Sequence, residues 1–74
     1  MIEWIDSPES SRVEAVAYDD EGERILVKFR KGGKRWQYGG CPPHIWAEFC
    51  APGASKGSYI NERLNHHRHG PFVD

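Results

Sequence analysis

The chain has 74 residues, of which 38% are hydrophobic, and its formal net charge at pH 7 is −1. A chain of this length forms one small domain, whose core buries only about 60% of the surface that the unfolded chain exposes. No apolar run is long enough to span a membrane, and the first residues lack the basic and apolar regions of a signal peptide. We therefore expect a cytoplasmic protein that has no membrane partner and keeps its two cysteines reduced.

Acidic and basic residues are separated along the chain. Residues 1–23 hold eight acids and one base, a net charge of −7, whereas residues 24–74 hold nine bases and three acids, a net charge of +6. Six of those bases lie between Arg24 and Arg35, where there is no acid. Two interpretations stay open. The charges pair across neighbouring strands, or they form two faces for differently charged partners.

Residues 1–11 are predicted to form an acidic, apolar arm in front of the domain. The segment ends in the turn-forming sequence SPESS. One interpretation is that its apolar residues pack on the core or form a short edge strand. The other is a mobile arm that anchors on a basic, partly apolar groove of a partner, because tryptophan is enriched at interface hot spots. The partner-binding residues are then Ile2, Glu3, Trp4, Ile5 and Asp6.

Three strands are predicted before residue 39. In the second of them, RILVKFR, every other residue is apolar, which is typical of a strand with one face on a core and one largely in water. The turn KGGK joins it to a third strand with Trp36 and Tyr38, since paired glycines can take the positive φ that a tight hairpin requires. The first strand, Arg12 to Tyr18, is expected to place Val13, Ala15 and Ala17 on one face and Val16 and Tyr18 on the other.

Two short helices are predicted to follow. A proline-led helix from His44 to Cys50 carries one apolar stripe, and a second helix from Tyr59 to Asn65 has Ser55 or Ser58 as its N-cap. Residues 66–74 lack periodicity and are expected to be a His-rich flexible tail. The predicted fold is α+β: a three-stranded antiparallel β-meander followed by two short α-helices packed on one face, with residues 12–65 as the domain.

The order of these elements resembles the KTSC domain. The resemblance covers about Ser10 to Asn65, and its most specific part is the sequence SKGSY at residues 55–59. The chain departs from the family in two places, with the sequence WQY at residues 36–38 instead of Tyr-x-Tyr, and with Cys41 where an aliphatic residue is usual. The family is named for the C-terminal extension of some lysyl-tRNA synthetases and includes small free-standing bacterial and phage proteins. It has no established activity, and the resemblance implies RNA binding only as a suspected role.

RNA binding is the alternative function that the residues support. Basic side chains of the hairpin can follow phosphates, an aromatic side chain of the third strand can stack on a base, and a helix N-terminus can bind an anion. A pI near 6.4 argues against this function. Core packing of the aromatics and plain helix capping are the competing interpretations. The candidate residues are Lys28, Arg30, Lys31, Lys34, Arg35, Trp36, Tyr38, Ser55, Lys56, Gly57 and Ser58.

Metal binding and catalysis have weaker support. Cys41 and His44 have the spacing of metal ligands, but a structural zinc site needs four rigidly held ligands, and the second pair would come from the tail histidines. Cys50 is expected to be a buried helix residue. His44 and Glu48 lie one helical turn apart, yet no oxyanion or cofactor motif accompanies them. We expect no metal, no cofactor and no enzymatic activity.

The sequence therefore predicts a monomeric, non-enzymatic binding module. Its expected partner is a large protein of the transcription or translation machinery, and a phage-type regulator of RNA polymerase is one form that such a module takes. The expectation that the partner belongs to the transcription or translation machinery rests on family analogy. Direct RNA binding by the basic hairpin and the Ser-Lys-Gly segment is the alternative.

Overall fold

Hydrogen bonds between consecutive strands build one five-stranded antiparallel sheet, ordered β1-β2-β3-β4-β5, in the computed structural model, which describes residues 2–53 and 55–73. Two helices follow β4, and a single 3₁₀ turn, Leu64–His66, precedes β5. The strands are β1 (Ile5–Asp6), β2 (Val13–Asp19), β3 (Arg24–Phe29), β4 (Arg35–Tyr38) and β5 (His69–Pro71), and the helices are α1 (Pro43–Phe49) and α2 (Lys56–Glu62).

The prediction of a three-stranded sheet is wrong, although the α+β class is correct. Two further strands lie at the edges of the sheet: β1 in the segment predicted as an arm, and β5 in the segment predicted as a tail. They are two and three residues long, so neither is long enough to show the apolar alternation by which a strand is recognised. A short edge strand was one of the two interpretations of the first residues, and β1 is such a strand.

A β-bulge in β2 changes which of its residues share a face. The register shifts between Val13 and Ala15, so that Val13 pairs with Phe29 and Val16 pairs with Val27. Residues that pair directly have side chains on the same face, and a bulge adds one residue to one strand. Val13 therefore lies on the same face as Val16, and the predicted grouping of Val13 with the two alanines is wrong.

The hairpin between β3 and β4 is confirmed. Val27 pairs with Trp36 and Ile25 pairs with Tyr38. Gly32 and Gly33 have φ angles of +80° and +63°, in the left-handed region that glycine adopts without a steric penalty. The two glycines thus close the turn that sets the strand register.

The helices cover one face of the sheet and form the main core with it. Tyr18 of β2 stacks on Trp46 of α1, with ring centroids 5.5 Å apart and an angle of 18° between the planes. The Tyr18 hydroxyl donates a 2.7 Å hydrogen bond to the main-chain oxygen of Cys41. This core consists of Val13, Val16, Ile25, Val27, Tyr38, Cys41, Phe49, Ile60 and Leu64.

The helix boundaries differ from the predicted ones. Helix α1 ends at Phe49, so Cys50 is its C-cap and is exposed, and the prediction of a buried Cys50 is wrong. Helix α2 begins at Lys56, three residues earlier than predicted, because the Ser55 side chain accepts a 3.3 Å hydrogen bond from the Ser58 amide and caps the helix there. In the described part of the chain, no helix has the length and apolar character needed to cross a membrane.

The other face of the sheet is also covered. Leu26, which points away from the helices, is completely buried, as is Ala17, its partner on β2. Trp4 and Phe72 meet in an edge-to-face contact, with ring centroids 6.3 Å apart. Arg35 of β4 lies over the Trp4 ring, 6.0 Å from its centroid. The two ends of the chain thus meet beside a sheet face that was expected to be largely in water.

Candidate functional site

The predicted arm residues do not act as one group in the structure. Trp4 is half-buried against Phe72, whereas Glu3 and Asp6 are exposed. Ile5 lies in the outermost strand, with 53% of its surface accessible. Ile2 and Trp4 line a groove that Glu3, Ile5 and Asp6 do not line. The structure therefore separates the five predicted partner-binding residues into a groove pair and an exposed edge.

We call this groove the acidic groove. It lies where the first and last described segments of the chain meet the turn between β2 and β3, and its volume is about 650 Å³. Apolar side chains from both ends of the chain line it, including Val73, which is 86% exposed. Its lining residues are Ile2, Trp4, Asp19, Asp20, Glu21, Arg24, Phe72 and Val73.

Among the described lining residues of the acidic groove, the one cation is Arg24, and contacts within the protein hold it. Arg24 donates from Nε to Oδ2 of Asp19 at 3.0 Å and from Nη1 to Oε1 of Gln37 at 2.7 Å. The hydrogen bond from Arg24 holds the pKa of Asp19 below its ordinary value. Among the described residues, Asp20 and Glu21 have no cationic partner within ion-pair distance. The groove is therefore an apolar surface with two uncompensated negative charges.

Internal contacts occupy three of the five predicted hairpin cations. Lys28 forms a 3.0 Å ion pair with Glu14. Nη2 of Arg30 donates to the main-chain oxygens of residues 7, 10 and 13 at 3.0–3.1 Å, which attaches the segment before β2 to the end of β3. Arg35 lies over Trp4. The pair of Lys28 with Glu14 is the pairing across neighbouring strands that one interpretation expected, whereas Arg30 contacts main-chain oxygens and Arg35 contacts an aromatic ring.

Lys31 and Lys34 remain in the turn between β3 and β4, where both are exposed. They flank Phe29 in a groove of about 470 Å³ that also includes Arg12. An adjoining groove of about 320 Å³ shares Arg12, Phe29 and Lys34 and extends across Trp36 to α2 and β5. We call the joined surface the basic groove. Its polar and aromatic lining residues are Ser11, Arg12, Phe29, Lys31, Lys34, Trp36, Tyr38, Asn61, Asn65 and His69.

The two predicted stacking residues differ in accessibility. Tyr38 is 2% exposed and belongs to the core, so it offers no ring face to a ligand. Trp36 is half-buried, and its Nε1 donates a 3.1 Å hydrogen bond to Nδ1 of His69. Arg12 and Phe29 line both parts of the basic groove but were not among the predicted nucleic-acid-binding residues. The position of Phe29 at the end of β3, next to the basic turn, was the available signal for that residue.

The Ser-Lys-Gly segment borders a polar cleft of about 290 Å³ against residues 9–12. Lys56 forms a 2.7 Å ion pair with Glu9, and the side chain of Lys56 is only 12% exposed. The hydrogen bond from Lys56 lowers the pKa of Glu9 to about 2. Gly57 is buried, and a Cβ there would lie 3.1 Å from Cδ of Arg12. The charge of Lys56 is therefore paired with that of Glu9, and the Ser-Lys-Gly segment joins α2 to the chain before β2.

The candidate metal ligands form no four-ligand site within the described ranges, although Cys41 lies close to one of the tail histidines. Cys41 is buried beside His67, with 3.8 Å between Sγ and Nδ1, rather than beside His44. Burial raises the pKa of the Cys41 thiol. The described ranges contain no group of three His, Cys, Asp or Glu side chains that could hold a metal ion. Glu48, the predicted neighbour of His44, accepts a 2.9 Å hydrogen bond from the Tyr59 hydroxyl.

Comparison with known proteins identifies the fold and the family. The family model of the KTSC domain matches residues 9–67. The crystal structure of a KTSC domain protein from Yersinia pestis matches with a TM-score of 0.84 at 22% sequence identity, and the match covers 99% of this chain and 100% of the other. A search of curated proteins found no significant match. The family model covers most of the chain, including the SKGSY segment, and the chain therefore belongs to the KTSC domain family.

Proposed function

We propose that this protein is a small, non-enzymatic binding module that docks onto a larger protein through its acidic groove. The observation that carries the proposal is the combination of apolar and acidic residues in this groove. Trp4, Phe72 and Val73 offer apolar surface, and Asp20 and Glu21 add negative charge that none of the described cations compensates. Tryptophan and phenylalanine in a partly buried cluster are typical of interface hot spots.

The chemistry of the groove defines the segment that it binds. An apolar side chain of the partner would fill the space between the two ends of the chain, and a lysine or arginine next to it would face Asp20 and Glu21. Opposite charge at the rim speeds association and excludes acidic partners. The proposed ligand is therefore an exposed protein segment that carries basic and apolar residues together.

We propose further that the larger protein belongs to the transcription or translation machinery. Nothing in the groove itself selects such a protein. The proposal rests on the resemblance of the chain to a domain found as an extension of some lysyl-tRNA synthetases, which is an argument from analogy.

The test is a set of affinity captures from bacterial lysate, with and without nuclease treatment, compared by quantitative mass spectrometry. The groove variants are Asp20→Lys and Val73→Asp, which change residues that are exposed. Glu62→Lys reverses an exposed acid on α2 and is the matched control for Asp20→Lys. Ile5→Asp adds the same charge to the exposed edge strand and is the control for Val73→Asp. Circular dichroism verifies the fold of each bait.

We expect one large protein to be captured by the wild type and by both controls, and to be lost with both groove variants. Direct binding of that purified protein, measured by interferometry with the same five baits, should repeat the pattern. Two outcomes contradict the proposal. One is a partner that Ile5→Asp abolishes while the groove variants retain it, which would assign docking to the edge strand. The other is the loss of every captured protein after nuclease treatment.

A further inference from the structure

The basic groove carries three cations that form no ion pair with the described residues. Arg12, Lys31 and Lys34 all line it, and all three are exposed. Among the described residues, no acid lies within ion-pair distance of any of them, and no acid lines the groove. The three neighbouring cations of the hairpin are held by Glu14, by main-chain oxygens and by Trp4. The free positive charge of this end of the sheet is therefore concentrated in one groove.

Two aromatic rings line the same groove as these cations. Phe29 and Trp36 are both partly buried, and both pack against the core with one side. Trp36 is held further by its hydrogen bond to His69. A ring that is fixed in this way loses little freedom when a planar ligand stacks on its open side. The amides of Asn61 and Asn65 border the same groove and offer donors and acceptors.

The acidic turn between β2 and β3 does not oppose an anionic ligand here. Strand β3 has the acidic turn, residues 20–23, at its beginning and the basic turn, residues 30–34, at its end. A six-residue strand is about 20 Å long. At physiological ionic strength the Debye length is about 8 Å, so the acidic turn is screened from the basic groove. The net charge of −1 therefore does not describe the potential at this surface.

We infer that the basic groove binds single-stranded nucleic acid, with Arg12, Lys31 and Lys34 on the phosphates and with Trp36 and Phe29 as stacking surfaces. A positively charged groove with interleaved aromatic rings is the arrangement that recognises unpaired strands without strong sequence preference. The groove differs from the set that the sequence indicated. It excludes Lys28, Arg30, Arg35 and the Ser-Lys-Gly segment, it assigns no stacking role to the buried Tyr38, and it adds Arg12, Phe29, Asn61, Asn65 and His69.

The first test is fluorescence anisotropy with labelled twelve-nucleotide oligo-U and oligo-dT, at salt concentrations from 50 to 200 mM. Three phosphate contacts on a single strand predict that affinity falls about 20-fold over this range. The double variant Lys31→Gln/Lys34→Gln should leave one such contact and reduce the loss to about 3-fold. Arg63→Gln/Arg68→Gln removes the same number of exposed cations from positions that do not line the groove. This control should keep the 20-fold dependence.

The second test concerns the rings. Trp36→Leu removes the aromatic surface but keeps an apolar side chain against the core, and it should weaken oligo-U binding by at least about 5-fold. Trp36→Phe keeps a ring and should bind within about 2-fold of the wild type. A duplex of the same length is the negative probe, because its bases are not available for stacking. Thermal melting of each variant separates loss of binding from loss of fold.

Each outcome of the two tests either supports or contradicts nucleic-acid binding by the basic groove. Equal binding of oligo-U and oligo-dT supports contacts with phosphates and rings alone, and tighter binding of oligo-U supports an additional contact to the 2′-hydroxyl. Equal effects of the two double variants would overturn the inference, since affinity would then depend on total charge and not on the groove. Equal affinity for the duplex, or no binding of either oligonucleotide at 50 mM salt, would also overturn it.

Discussion

Nζ of Lys56 lies 2.7 Å from Oε1 of Glu9, which joins the first turn of α2 to the chain before β2. The hydrogen bond lowers the pKa of Glu9 from its ordinary value of 4.5 to about 2. A carboxyl whose pKa is lower in the folded state stabilises the fold above its unfolded pKa and loses this effect as the pH falls. The ion pair therefore contributes fully above pH 4.5, and its contribution declines towards pH 2.

Glu9→Gln should accordingly lower the melting temperature at pH 6, and the difference from the wild type should shrink as the pH is lowered to 2. Scanning calorimetry or circular dichroism at several pH values measures this difference. Glu62→Gln changes another exposed acid and should not alter the shape of the pH dependence. A difference between Glu9→Gln and the wild type that stays constant from pH 6 to pH 2 would show that ionisation of Glu9 is not its source.

The contact between Trp4 and Phe72 is expected to couple the two ends of the chain energetically. Edge-to-face aromatic pairs contribute about 0.5–1.5 kcal/mol beyond area burial. A double-mutant cycle with Trp4→Leu and Phe72→Leu, measured by urea unfolding, should give a coupling energy in this range. A cycle of Phe72→Leu with Trp46→Leu, on the helix face, should be additive within about 0.5 kcal/mol. Additivity in the first cycle as well would mean that the rings do not interact.

Arg30 is expected to stabilise the fold although it lies in an exposed turn. Its Nη2 atom satisfies three main-chain oxygens at 3.0–3.1 Å, and hydrogen bonds from charged groups are the stronger ones. Arg30→Gln should lower the free energy of unfolding by about 1–3 kcal/mol. Lys31→Gln, one residue further along the same turn, should change it by less than about 0.5 kcal/mol. Equal effects of the two substitutions would assign the loss to charge alone.

The two cysteines should react very differently with a thiol reagent. Cys50 is exposed after the end of α1, whereas Cys41 is buried in the core. Burial raises the pKa of both thiols, so the reaction is best followed near pH 8. We expect one thiol per chain to react in native buffer and two in denaturant. Cys50→Ser should abolish the native reaction, and a fast native reaction of that variant would contradict the burial of Cys41.

Three of the five strands could be predicted because their patterns are strong. Alternation in β3 and the glycine pair after it are enough to define the central hairpin, and the structure confirms both. β1 and β5 are too short to carry such a pattern. The pattern also assigned one residue of β3 to the wrong environment, since Leu26 is completely buried. The contact between Trp4 and Phe72 joins distant segments of the chain, and no local pattern encodes such a contact.

The sequence predicts which types of residue the candidate sites contain, but not which of these residues come together. The sequence indicates a basic hairpin, yet only the strand register decides that Lys28 faces Glu14 while Lys31 and Lys34 stay free. The bulge in β2 adds a further shift that apolar spacing does not reveal. Arg12 joins the hairpin cations because its main-chain oxygen accepts a 2.9 Å hydrogen bond from the Arg30 amide at the end of β3. Contacts between distant segments therefore determine which charges remain available to a partner.

Ile2 and Val73, the outermost residues that the structure describes, line the same groove. The chain thus enters and leaves the fold at one place. Such an arrangement tolerates circular permutation, and it allows a domain to be inserted into a surface loop of another protein without displacing the halves of its host. A permutant that joins the two ends by a glycine linker and opens at the exposed Gly53 turn would keep every strand and both helices intact.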